Sequence, residues 1–307
     1  MNRSKIMTLL MITILVVGLG IPSTAEAKPY PGFFKTFKAG PKIPLVSKTT
    51  SNAWVPQGVE YLPSKNWMLF SYYWSGKGDK PVALAVVDLA SNKHIKTVYL
   101  YETSTKKHKG HAGGVTVSKK HIWLASTGST KGNVFKFKIN DLIKAKNGGK
   151  LIASKSYKLK SGSYATYYGN VLWVGKYTHG SSGLCSPNRN GGQIYGYKLN
   201  SKDELVSTTP AYTWKTPDRV QGAVMTSNRV IYSQSCGRNN NSTLYSYTKG
   251  SKGKQVNRMT APPMSEEVAI AKNKLYVNFE SGAKEYRGNG KYPLYHVYYA
   301  NVKTFAK

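Results

Sequence analysis

The chain has 307 residues, with 45 lysines and arginines against 13 aspartates and glutamates, a formal net charge of +32. A field of that size draws polyanions and repels cationic partners, and so few acids leave no set of clustered oxygen ligands for a calcium site. No metal and no cofactor is expected.

At the start, Asn2, Arg3 and Lys5 precede an apolar run over residues 6–21 and the small-residue sequence Ala25-Glu26-Ala27. A basic head, a short apolar core and an A-x-A cleavage pattern make a secretory signal peptide. The run is too short for a transmembrane helix and is broken by Gly18, Gly20 and Pro22. Residues 1–27 are therefore read as the signal and 28–307 as a single exported domain. Losing Arg3, Lys5 and Glu26 changes the net charge only from +32 to +31. In an oxidising compartment the two cysteines, Cys185 and Cys236, are expected to be joined.

Five segments of the mature part can be laid over one another. They begin Gln57-Gly58-Val59, Gly113-Gly114-Val115, Ser163-Tyr164-Ala165, Gln221-Gly222-Ala223 and Glu266-Glu267-Val268. After a tight polar turn, each is followed by a second apolar strand containing, in order, Trp67, Trp123, Trp173, Tyr232 or Tyr276. A third strand follows over 82–89, 133–139, 193–199, 243–248 and 293–302, with Leu84, Val134, Ile194, Leu244 and Leu294 recurring at intervals of 50, 60, 50 and 50. Weaker outer strands are read at 94–101, 151–159, 211–215 and 255–260, and residues 34–48 are expected to supply the one the last unit lacks. Only 140–146 reads as a helical turn. Such a period predicts an all-β, five-bladed β-propeller with four-stranded antiparallel blades.

On these repeats the chain resembles secreted bacterial propeller proteins of no assigned activity, and shares its architecture with the tachylectin-type lectin and the arabinanase and invertase class of glycosidases. In such glycosidases three carboxylates converge on the central pocket. The matching strand starts here are Gln57, Gly113, Ser163, Gln221 and Glu266, of which only the last is acidic.

In a propeller the starts of the inner strands and the loops between second and third strands form one funnel. The binding set read for it is Gln57, Tyr164, Tyr177, Arg219, Gln221, Gln234 and Arg238, with Tyr72, Tyr73, Trp74 and His179 nearby. Arginine forks match carboxylate or phosphate, and aromatic rings stack on sugars. His111, in Gly110-His111-Ala112-Gly113-Gly114, and the carboxyls Glu266 and Glu280 are the candidate acid–base groups. Those carboxyls could equally be neutralised in salt bridges with the arginines. A Cys185–Cys236 bridge would staple the funnel rim.

The function expected is a secreted cationic propeller, a monomer held at the cell wall by its charge, that binds an anionic polysaccharide or teichoic acid in the funnel. The alternative is a glycoside hydrolase or polysaccharide lyase acting on such a polymer. Nucleic acid is disfavoured, because the lysines are scattered over turns and strand faces.

Overall fold

The computed structural model describes residues 30–47, 53–128, 133–179, 185 and 191–305. The signal segment lies outside the described residues.

The repeats fold as five sheets standing in a ring, each with four antiparallel strands, to which blade 1 adds a fifth, parallel one. From the axis outward, blade 1 is Trp54–Leu62, Trp67–Trp74, Ala83–Asp88 and Lys93–Tyr101, and blade 2 is Gly114–Val117, His121–Ala125, Val134–Lys138 and Lys155–Tyr157. Blade 3 is Tyr164–Tyr168, Val171–Lys176, Gly192–Lys198 and Tyr212–Thr216, and blade 4 is Val220–Met225, Arg229–Gln234, Ser242–Thr248 and Gln255–Ala261. Blade 5 is Ser265–Ala271, Lys274–Phe279, His296–Asn301 and, from the far end of the chain, Lys38–Lys42. That last strand closes the ring and covers an edge that would otherwise expose unpaired backbone groups.

The strands carry apolar side chains on both faces because each sheet is covered twice. Five hydrophobic clusters result, one in each gap between neighbouring blades. The helix Pro31–Thr36 adds Phe33 to the gap between blades 4 and 5, where Phe37 is also buried. The sequence shows no period for this one-and-a-half-turn helix.

Two details differ from the expected strands. Residues 151–159 do not form one outer strand: Lys150–Ile152 pairs in parallel with the outer strand of blade 1, and only Lys155–Tyr157 completes blade 2. The helix in this connection is Ile139–Lys144, which ends where Ala145 turns extended, and its C-terminal carbonyls are capped by a lysine. Lys96 Nζ donates to Leu142, Ile143 and Ala145 at 2.7, 2.9 and 2.8 Å, a cation on the negative end of the helix.

Blades 2 and 3 are tied by one buried carboxylate. Asp203 Oδ2 accepts from Ser118 Oγ at 2.5 Å and from the Lys120 amide at 2.9 Å, and lies 3.0 Å from His121 Nδ1. The Cys185–Cys236 disulfide is formed, with 5.7 Å between Cα atoms, and joins the loops of blades 3 and 4. No helix among the described residues is long and apolar enough to cross a membrane.

Candidate functional site at the propeller axis

The axis is shaped by the second position of the repeat, occupied by Gly58, Gly114, Tyr164, Gly222 and Glu267. The three glycines open the centre. A Cβ at Gly58 or Gly114 would stand 2.9 or 2.8 Å from the Glu267 carboxyl oxygens, and one at Gly222 would stand 2.4 Å from the Glu267 Cα. Into that space Glu267 extends, 1% exposed. Its Oε2 accepts from the amides of Val59 and Val115 at 2.9 and 2.8 Å. One side chain of blade 5 thus satisfies inner-strand amides of blades 1 and 2. Burial nevertheless raises its pKa well above the usual carboxylate value.

Register shifts in the inner strands of blades 1, 4 and 5, at Pro56/Val59, Val220/Gly222 and Ser265/Val268, mark β-bulges. A bulge re-aims the side chains beside it. At those bulges stand Gln57, Gln221 and Glu266, and the three meet with Glu280 on the funnel floor. Gln57 Nε2 donates to Glu280 Oε2 at 2.8 Å, Gln221 Nε2 donates to Glu266 Oε1 at 3.1 Å, and the two carboxyls hydrogen-bond each other. Asn278 holds the floor by donating to the Gln57 carbonyl at 2.9 Å.

A carboxyl–carboxyl hydrogen bond needs a proton between the two oxygens. Burial supplies the reason it stays: Glu266 is pushed well above the ordinary range by desolvation and by Glu280, and Glu280 is raised to about 7 by desolvation, partly offset by its bonds to Gln57 and Glu266 and by the charge of Arg238. Glu266 is 1% exposed, whereas Glu280 is partly open to solvent. The salt bridges to Arg219, Arg238 or His111 that the sequence also allowed are not formed among the described residues.

The wall above the pair is aromatic. Tyr73 bonds Tyr286 through their hydroxyls at 2.7 Å and stacks on His111, ring centroids 4.5 Å apart at 22°. The Arg238 guanidinium lies 4.6 Å from the centre of the Tyr286 ring. His111 is pushed down by desolvation, so its imidazole favours the neutral form. Tyr177 is edge-on to His179, and burial raises the pKa of its hydroxyl, partly offset by the charge of Arg219. Arg219 takes a left-handed backbone, φ 50°, and its Nε donates to the His179 carbonyl at 2.9 Å.

Two of the expected binding residues do not face the funnel. Tyr164 is fully buried in the gap between blades 3 and 4, where its ring occupies the place a side chain at Gly175 would take. The inner strand of blade 3 pairs with its neighbour in regular register from Tyr164 onward, so this side chain is turned off the axis. Gln234 is 1% exposed and turned to Asp218, donating to its Oδ1 at 2.7 Å and its carbonyl at 3.1 Å. It lines a cavity of about 230 Å³ behind Cys185 and Cys236. Tyr72 is likewise buried, donating to the Pro44 carbonyl. Tyr286 and Glu267 are the members that the sequence reading left out. Tyr286 belongs to a loop helix, Lys284–Arg287, outside the repeat, and carries no sequence signal. Glu267 could have been found as the single acid in a column that holds three glycines and Tyr164.

No protein-family model and no curated protein matches the chain. Among solved structures, it is similar to glutaminyl cyclase from Myxococcus xanthus, with TM-score 0.50 and 9% identity over 86% of this chain and 95% of that one. A functionally unknown protein from Desulfotomaculum acetoxidans DSM 771 aligns with TM-score 0.40 and 14% identity over 73% of this chain and 65% of that one. A nidogen/laminin complex aligns with TM-score 0.41 and 9% identity over 80% and 85%. At these identities the likeness speaks for fold alone: the chain is a five-bladed β-propeller similar in architecture to a bacterial cyclase.

Proposed function

We propose that the funnel is the active site of an acid–base enzyme, exported and drawn by its charge to an anionic glycan, which it cleaves as a lyase. The observation that carries this reading is the Glu266–Glu280 pair, adjoining carboxyls, one buried and one partly open, held by Gln221 and Gln57 beside the Tyr73–Tyr286 wall, with desolvation raising the proton affinity of both. Strongly perturbed acids in a concave site are the usual mark of proton-transfer chemistry. Direct contact between the two carboxyls disfavours the glycoside hydrolase alternative, because that chemistry separates its acid and its base or nucleophile by ~5 Å or more to admit the sugar or water.

A pair holding one proton can both accept and donate. Glu280, the partly open member, would as carboxylate take the proton next to a uronate carboxylate, which Arg238 would neutralise. The C–H electron pair would then become the ring double bond, the glycosidic C–O bond would break, and the departing oxygen would take the proton held by the pair. The Myxococcus neighbour is by name an enzyme on the same fold, and fold alone does not carry its activity across.

A second reading, binding without turnover, is favoured by the lysine envelope. Lys65, Lys119, Lys120 and Lys138 line a cleft of about 630 Å³ by the turns of blades 1 and 2, on the face away from the funnel. Incubating the protein with uronate polymers and teichoic acid separates the readings. A lyase yields new chain ends and the ultraviolet absorbance of unsaturated uronate, and Glu280→Gln loses turnover by roughly 10²-fold or more while retaining the polymer. Retention of polymer with no new ends would establish the second reading, and a Glu280→Gln variant cleaving at full rate would remove the pair from the chemistry.

A further inference from the structure

On the other side of the funnel wall the same strand ends build a second concavity. Gln57 and Glu280 meet at the funnel, and their chain neighbours Pro56 and Phe279, the latter with its ring packed on Phe33 and Tyr298, border a cavity of about 580 Å³ between blades 5 and 1. Its apolar lining comes from Ile43, Leu45, Trp54, Phe279, Leu294 and Tyr295, and its polar rim from Lys42, Lys284, Arg287 and His296. Among the described residues, no acidic side chain lines it. Leu45 and Tyr295 are 57% and 46% exposed, large apolar groups left open at the mouth. The His296 Nδ1 donates to the Gly40 carbonyl at 2.9 Å, leaving Nε2 as the ring nitrogen on offer to a ligand.

The volume is that of a small-molecule site. An apolar floor with Lys42, Lys284 and Arg287 at its rim selects for two features in one molecule: a hydrocarbon body to cover the floor and one anionic group to meet the rim. We propose that this groove binds a small carboxylate amphiphile with an acyl or aryl body, at a site separate from the carboxyl pair. Neutral hydrocarbons would gain the floor without the rim, and compact anions such as phosphate would gain the rim without the floor.

The helix Lys284–Arg287 is the partition between the two sites. Its Tyr286 hydroxyl bonds Tyr73 in the funnel, while Lys284 and Arg287 border the groove.

Calorimetric titration of the full mature chain with decanoate and with 2-naphthoate, below their aggregation limits, tests the assignment, with decanol and inorganic phosphate as the half-ligands. Binding of at least one carboxylate is expected, with decanol and phosphate each weaker by about tenfold or more. Arg287→Gln should weaken binding by a similar factor and Leu45→Asp by more. Both positions are surface-exposed, so folding is not at stake. Glu280→Gln should leave the affinity unchanged. The proposal is overturned if neither carboxylate binds, if decanol binds as well as decanoate, or if Leu45→Asp and Arg287→Gln both bind like the wild type.

Discussion

Replacing Glu280 by glutamine tests the shared proton without disturbing the hydrogen bonds around it. The new side chain keeps an acceptor oxygen for Gln57, 2.8 Å away, and puts an N–H where the shared proton was, facing Glu266. What changes is ionisation. Burial lifts Glu280 from 4.5 to about 7, so in the folded protein it holds its proton more tightly than in the unfolded chain. A folded-state value raised in this way gives stability that is fully present below pH 4.5 and is lost as pH climbs through about 7. At ~1.36 kcal/mol per pH unit between the two values, the wild type sheds roughly 3 kcal/mol over that interval. The glutamine variant has no such loss. Urea unfolding at a series of pH values from about 4.5 to about 8, at constant ionic strength, should therefore show the variant gaining on the wild type by about 2–3 kcal/mol as pH rises. A difference that stays flat with pH, or moves against the variant, would mean that the native site stabilises the carboxylate, and the shared-proton description would fall.

Glu267→Ala should cost about 2 kcal/mol or more, because it strands the buried amides of Val59 and Val115 at the axis. Glu267→Gln, which keeps one acceptor oxygen, should cost less than half of that, and equal midpoints in urea for the two variants would contradict the role given to the carboxyl. Asp203→Ala removes the acceptor shared by Ser118, Lys120 and His121 and should cost about 2–3 kcal/mol by the same measurement. A loss below about 0.5 kcal/mol would show that the tie between blades 2 and 3 is dispensable.

The sequence by itself determined the blades. Strand, polar turn and strand recur because each hairpin is specified locally by alternation and turn residues, and the spacing of Leu84, Val134, Ile194, Leu244 and Leu294 reports one sheet per repeat. Closure by the segment before the first repeat was also legible, since the fifth unit ends one strand short and Lys38–Lys42 fills the place. The direction of individual side chains was decided by the tertiary structure. Side chains alternate across a strand, so one extra residue at a bulge reverses which of them meets the axis. Bulges in blades 1, 4 and 5 bring Gln57, Gln221 and Glu266 to one floor, while the regular strand of blade 3 sends Tyr164 between the sheets. The bond between Glu266 and Glu280, the parallel pairing of Lys150–Ile152 and the place of Tyr286 in the wall depend on contacts between segments far apart in the chain, and no local pattern encodes such contacts.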